Sequence, residues 1–385
     1  MAQNTVFAQI IKQIPRSVFQ SFVVKNDADK FIRSMDSWTW FGALLFGQLS
    51  GHDSIRAIER VFATSDSRLA SLGFGPVRRS TLADANRRRS LTLLEDIFSY
   101  TLMRANKVAP KKHGFKFHGP ILALDSTTIE LSLKLCPWAE FYSNRSAMKL
   151  HTAIDIASDV PQFAVVDLAR HQDLPTIKSR PEQFAKGTTV LFDRGYLSYS
   201  WMNDLTQRQV HFVTRARDCF HFKVRKSNKT DRTQGYLCDQ IISPFGARGT
   251  NYQGYLRRIS YKDPDTKKKL VFLTNRFDLA TKTICDLYKA RWKVELFFKT
   301  LKQNLKIKKF LGVTENAVKA QIWMALIAYL LVQIVKFQLQ SKVSMPDAMA
   351  VLGTLALMKQ PLVFLLGNLP KTTRHPPTFQ LSFRF

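Results

Sequence analysis

Between residues 120 and 217 the apolar residues fall into short runs, rich in β-branched side chains and separated by turn formers: PILALDSTTIEL (120–131), AMKLHTAIDIA (147–157), PQFAVVDLA (161–169), TTVLFDRGY (188–196) and HFVTRAR (211–217). Runs of this length suit strands buried in a sheet better than they suit helices. Three strands in succession, then a strand, a helix-like SYSWMNDLTQRQ and another strand, predict a mixed α/β sheet with helices on its faces. An acid that directly follows such an apolar run sits at the margin of the sheet, where desolvation is costly without a nearby cation. Two acids do so: Asp125 follows ILAL and Asp193 follows VLF. One such acid is usually a turn or cap. Two on neighbouring strands would repel each other unless a metal lay between them, and hard oxygen donors favour Mg²⁺.

The flanks have a different period. In residues 1–105, VFAQIIKQI, ADKFIRSMDSWTWFGALLFGQL and DSIRAIERVF space their apolar residues as helices do. Thr81-x-x-Asp84 resembles a capping box, and the turn after it presents Arg87, Arg88 and Arg89, suited either to phosphate contact or to a solvated basic face. Residues 106–119 read as a linker, and 218–270 as a basic, strand-like insertion followed by a strand over 270–278. A single helix is expected over 279–306, then a helical C-terminal region over 311–385. Within that region AQIWMALIAYLLVQIV (320–335) is nearly apolar, yet shorter than the roughly 20 residues a bilayer requires, so it reads as a buried helix. The final TTRHPPTFQLSFRF carries no pattern.

Charge narrows the function. The chain of 385 residues has a formal charge of +29, which implies a polyanionic partner, most often nucleic acid. Residues 201–310 contribute +16 of that excess, whereas 111–200, which hold Asp125 and Asp193, contribute only +2. Cys136, Cys219, Cys238 and Cys285 form no C-x-x-C pair, and the His spacing suggests no zinc site. Scattered thiols and an N-terminus without a signal-peptide pattern are expected of a soluble cytoplasmic protein.

The stretch YKARWKVELFFKTLK (288–302) carries five Lys or Arg residues and one acid, Glu295. On an ideal helix Tyr288, Arg291, Glu295 and Lys302 fall within an arc of about 60°. Leu287, Val294, Phe297, Phe298 and Leu301 form a neighbouring apolar arc that would dock the helix on the sheet. Salt bridging at i,i+4 to Arg291 or Lys299 would account for Glu295 alone. It leaves Tyr288 and Lys302 on the same line unexplained.

The spacing Tyr-x2-Arg-x3-Glu-x6-Lys resembles the signature of the DDE transposases in family four of the bacterial insertion sequences; Asp125 in ALDSTTIEL and Asp193 in LFDRGY resemble that family's first two catalytic motifs. The resemblance spans about 120–310, and the helical N-terminus looks like the DNA-binding segment that precedes the catalytic core in many members. It implies a ribonuclease-H-like fold with Asp125 and Asp193 on adjacent strands, Glu295 brought in by the later helix, and 218–270 as a β insertion. It implies cut-and-paste transposition with two Mg²⁺ ions (Mn²⁺ a possible substitute) held by Asp125, Asp193 and Glu295. It further implies that Tyr288, Arg291 and Lys302 contact the DNA backbone, with Lys299, Arg194, Trp292 and Arg87–Arg89 as further candidates. The partners implied are double-stranded transposon-end and target DNA and a second copy of the chain in a homodimer, with no membrane, in a bacterial cytoplasm at the nucleoid. Trp292, Tyr252 and Tyr255 are candidates for stacking a flipped base. Asp155, Asp167, Glu130, Asp278 and Asp286 are read as turn, cap or surface acids rather than ligands. The rival readings are a nuclease or resolvase of the same fold and a non-catalytic DNA-binding protein.

Overall fold

The computed structural model describes residues 4–142, 144–217, 220–246, 249–304 and 310–367; Cys219 and the tail from 372 lie outside them. Seven helices come first among the described residues: α1 (Val6–Ile11), α2 (Arg16–Lys25), α3 (Ser37–Leu49), α4 (Ile55–Thr64), α5 (Asp66–Ala70), α6 (Arg79–Arg88) and α7 (Thr92–Val108). Side-chain caps start several of them. Thr5 accepts from the Ala8 amide at 3.1 Å and Asp36 from the Thr39 amide at 2.8 Å. Helix α3, SWTWFGALLFGQL, is buried on every side. Its Gly42 is needed for close packing, since a Cβ there would lie 2.1 Å from the Phe74 ring.

The strands are β1 (Ile121–Leu131), β2 (Glu140–Tyr142), β3 (Arg145–Asp155), β4 (Pro161–Leu168), β5 (Thr189–Phe192), β6 (His211–Arg215), β7 (Phe222–Asn228), β8 (Tyr236–Pro244), β9 (Leu256–Lys262) and β10 (Lys269–Thr274). They form one sheet in the order β2-β3-β1-β5-β6-β10-β9-β8-β7, with β4 also on β3. The pairs β1–β5 and β5–β6 are parallel, and the other pairs are antiparallel. An antiparallel β1–β3–β4 set joined through β1 to two parallel strands is the mixed sheet expected of a ribonuclease-H-like fold. The basic insertion extends this same sheet through β10. Helices α8 (Asp173–Lys178) and α9 (Tyr199–Gln207) cover one face. The other face is covered by α10 (Thr281–Ala290), α11 (Trp292–Asn304) and α12 (Glu315–Gln338), with α13 (Met345–Thr354) and α14 (Leu362–Gly367) beyond them. Helix α12 packs against α3, α6 and α7, so the two ends of the chain share a core.

Three expectations need correction, whereas the buried helix expected over 320–335 is found. Residues 279–304 form two helices rather than one, because the chain tightens at Arg291: the Arg291 amide donates to the Tyr288 carbonyl and the Val294 amide to the Arg291 carbonyl, both i,i−3 and both 3.1 Å. Thr81 caps nothing. Helix α6 begins at Arg79, and Asp84 pairs with Arg87 at 2.7 Å inside it. Arg87 and Arg88 therefore lie in the last turn of a helix, not the first. Helix α12 has 24 residues, longer than the apolar run, because Thr314 caps its start and Glu315 pairs with Lys319 at 2.6 Å. It is long and apolar enough to cross a membrane by composition, but 94% of its most apolar window is buried inside the protein.

Candidate active site

The two aspartates meet through strand register. Residues Ile121, Leu122 and Ala123 of β1 pair with Thr189, Val190 and Leu191 of β5. The same offset carried two residues further sets Asp125 beside Asp193. Side chains alternate across a strand. Leu122, Leu124, Val190 and Phe192 enter the core beneath α8 and α9, whereas Ile121, Ala123 and Leu191 enter the core beneath α10 and α11. Asp125 and Asp193 continue the second set. Asp125 lies inside β1 rather than at its end, at the point where β5 has finished and the parallel edge opens. Each carboxylate is oriented by a nearby backbone amide at 2.8 Å: Ser126 donates to Asp125 Oδ1 and Gly195 to Asp193 Oδ1.

Glu295 arrives on α11. Val294, Phe297, Phe298 and Leu301 are buried as the apolar arc requires, with Phe297 edge-on to Tyr329 of α12 at 4.9 Å. Lys293 fixes the same helix to the β3–β4 turn, donating to the Ile156 carbonyl at 2.7 Å and pairing with Asp159 at 2.9 Å. The start of α10 is held from the insertion: Thr281 Oγ1 donates to Asp239, which Arg257 grips through two hydrogen bonds.

One guanidinium joins two of the three acids. Arg291 Nη1 donates to Asp125 Oδ2 at 3.0 Å while Nη2 donates to Glu295 Oε1. The side chains of Arg291, Asp125 and Glu295 are only 14%, 19% and 31% exposed, so water screens these charges weakly. Burial pushes the Asp125 carboxyl up to about 6, opposed by Arg291 and reinforced by the like charges of Asp193 and Glu295. Burial disfavours the Arg291 cation, but Tyr288, Asp125 and Glu295 outweigh it and hold the guanidinium above its ordinary value.

Among the described residues no three Asp, Glu, His or Cys side chains converge closely enough to enclose an ion, and between Asp125 and Glu295 stands Arg291. The donor set nevertheless fits a hard divalent cation: the three acids supply only carboxylate oxygens, in a half-buried cluster whose mutual repulsion a cation would relieve. A cavity of about 950 Å³ lies elsewhere, at the N-terminal end of β1 beside Lys111, His113 and Phe117. Its position on the opposite margin of the sheet separates it from these acids.

The other nominated residues divide clearly. Tyr288 is half-buried, its ring 4.9 Å from Phe272 and 5.8 Å from the Arg291 guanidinium. Lys299 is exposed and Lys302 half-buried on α11, and Trp292 is 41% exposed at its start. Arg194 is half-buried beside Asp193. Arg88 and Arg87 are exposed. Arg89 does not face a ligand: it is buried, donating to Asp29, to Ser37 Oγ at 2.5 Å and to the Met35 carbonyl, and so ties α6 to the start of α3. Tyr252 is buried against Thr206, which removes it as a stacking platform, whereas Tyr255 is exposed. Asp155 and Asp167 accept locally from Ser158 and His171, Asp278 pairs with Arg276, and Asp286 with Lys282.

Sequence reasoning missed the polar layer behind the acids. His151, opposite Ser126 in the β1–β3 register, is fully buried, and neither ring nitrogen has a hydrogen-bond partner. Its Nδ1 lies 3.8 Å from Asp173, which pairs with Lys149 at 2.8 Å. Burial pushes the imidazole down to about 4. The phenol of Tyr196 is buried in the same region. A lone His within a strand carries no periodic signal that marks it as buried.

The three acids thus gather on one face of a mixed sheet that a strongly basic insertion extends. Comparison with known proteins identifies the class. The family model "Transposase DDE domain" matches residues 116–331, and a domain of unknown function, DUF4372, matches residues 2–75. A putative transposase y4zB of Sinorhizobium fredii is 32% identical over 66% of this chain and 70% of its own length. A probable transposase for insertion sequence element IS5377 of Geobacillus stearothermophilus is 27% identical over 66% of each chain. The putative transposase for insertion sequence element IS4SA of Synechocystis is 22% identical over 70% of this chain and 75% of its own. The chain belongs to the DDE transposase family. It is therefore a DNA transposase, a polynucleotidyl transferase dependent on a divalent metal.

Proposed function

We propose that the protein carries out cut-and-paste transposition of an insertion sequence, cleaving the element's ends and joining the freed 3′ ends to target DNA, with Asp125, Asp193 and Glu295 as its metal-holding carboxylates. The observation that carries this reading is the β1–β5 register, which sets Asp125 beside Asp193 on the sheet face where α11 delivers Glu295. Two Mg²⁺ ions, replaceable by Mn²⁺, are the metals we assign; bound there they would polarise the scissile phosphate and lower the pKa of the attacking water or hydroxyl. The chain's own part is positional. Backbone amides aim the two aspartates, and the docked α11 fixes Glu295.

Tyr288, Arg291 and Lys302, whose spacing with Glu295 resembles the signature of family four of the insertion sequences, are assigned to DNA backbone near the element's end. Lys299, Trp292 and Arg194 border the same centre, and the exposed Arg87 and Arg88 offer an outlying phosphate contact. We further assign DNA binding to the N-terminal helices over 1–105, catalysis to 120–310, and action as a homodimer on paired ends in the bacterial cytoplasm, at the nucleoid. A joining assay tests the reading: end DNA incubated with the protein and Mg²⁺ should yield covalent joining of a 3′ end to a target duplex. Cleavage without joining would instead identify a nuclease of the same fold.

A further inference from the structure

One cation serves two half-buried acids at the centre, and that cation belongs to the protein. Arg291 donates to Asp125 through Nη1 and to Glu295 through Nη2, while its Nε has no partner and its Cζ lies over the Tyr288 ring at 5.8 Å. The oxygens it occupies, Asp125 Oδ2 and Glu295 Oε1, are ones an ion shared by these acids would draw on. The residue also stands at the tightened turn between α10 and α11, a position where a helix commonly bends.

We propose that Arg291 is a built-in counter-cation that keeps Asp125 and Glu295 closed to divalent metal until a DNA phosphate draws its guanidinium away, so that metal entry and DNA engagement are coupled. This rests on Asp125, Asp193 and Glu295 being the metal-holding acids. Two exchanges replace charge by charge. The acids trade a guanidinium for a divalent ion, and the guanidinium trades carboxylates for a phosphate, an equally good bidentate partner. Breaking a poorly solvated ion pair without replacement leaves an unpaired charge, so neither exchange is favourable alone. Coupling of this kind is reciprocal: DNA tightens metal and metal tightens DNA by the same factor.

The test is Mn²⁺ binding to the full chain without DNA, read from the free-ion spin-resonance signal near neutral pH. Arg291→Gln should bind Mn²⁺ about tenfold or more tightly than the wild type, within the usual range of site coupling. Arg291→Lys, whose ammonium cannot span both acids, should fall between them and serves if the glutamine variant does not fold. The double variant Arg291→Gln, Glu295→Gln should lose the tightened site. Binding no tighter than wild type in the folded Arg291 variants would overturn the latch while leaving the carboxylate centre standing. Retention of the tight site in the double variant would instead remove Glu295 as a ligand and with it the basis of the proposal.

Discussion

Arg257 and Arg291 both face carboxylates from positions largely shielded from water, and their surroundings differ. Arg257 meets a single acid, Asp239, through two hydrogen bonds, and the remaining lone pairs of Asp239 are taken by Thr281 and Asn228. Both side chains are almost fully enclosed. That pair is balanced and saturated; it ties β8 and β9 to the start of α10. Arg291 faces two acids with a third beside them and keeps an unpartnered Nε in a half-buried cluster whose acids repel one another. A saturated pair is a structural rivet. A cluster of three carboxylates around one guanidinium keeps a repulsion that a bound cation would relieve, a pattern more common at functional sites than in cores.

Substitution at each cluster should separate the two. Asp125→Asn should reduce Mg²⁺-dependent end cleavage to background while the melting temperature holds or rises, because a repelled, desolvated carboxylate is neutralised. Asp239→Ala should do the reverse in stability: leaving Arg257 buried and unpaired should cost about 3–5 kcal/mol in denaturant unfolding. A melting temperature that dropped as far for Asp125→Asn as for Asp239→Ala would make both clusters rivets.

The polar layer behind the acids gives a smaller, pH-dependent effect. His151 is held at about 4 in the folded protein against an ordinary 6.5. The unfolded chain therefore takes up the proton first, and the stability due to a neutral His151 is complete above pH 6.5 and lost as pH falls towards 4. Asp125, raised to about 6, has the opposite slope over part of that window, so the difference between wild type and His151→Gln is the quantity to read. Wild type should lose at least ~1 kcal/mol more than the variant between pH 6.5 and 4. Parallel stability curves would show that the imidazole is not held neutral. At the low end, Lys282→Ala removes an exposed i,i+4 pair with Asp286 and should change stability by less than ~0.5 kcal/mol.

Much of the centre was legible in the residue pattern because its components are local. The apolar runs before Asp125 and Asp193 announce buried strands, although β1 continues past Asp125 to Leu131, and the 3.6-residue spacing around Glu295 announces a docked helix. What joins them is not local. The β1–β5 register depends on pairing across more than sixty intervening residues, and no single segment encodes it. The turn at Arg291 has no Gly or Pro to mark it, so two helices read as one. Thr81 and Asp84 had the spacing of a capping box, but Leu82 is buried in the core and Asp84 pairs with Arg87, which sets the helix start earlier. Arg89 looked like its exposed neighbours until Asp29 and Ser37, more than fifty positions away, closed over it.

The central claim is that Glu295 completes a metal centre with Asp125 and Asp193. Its most direct measurement is Mg²⁺-dependent cleavage of end DNA by Glu295→Gln, made beside a binding isotherm for the same duplex. Cleavage should fall to background with DNA affinity largely retained. A variant that cleaves as wild type does would contradict the assignment.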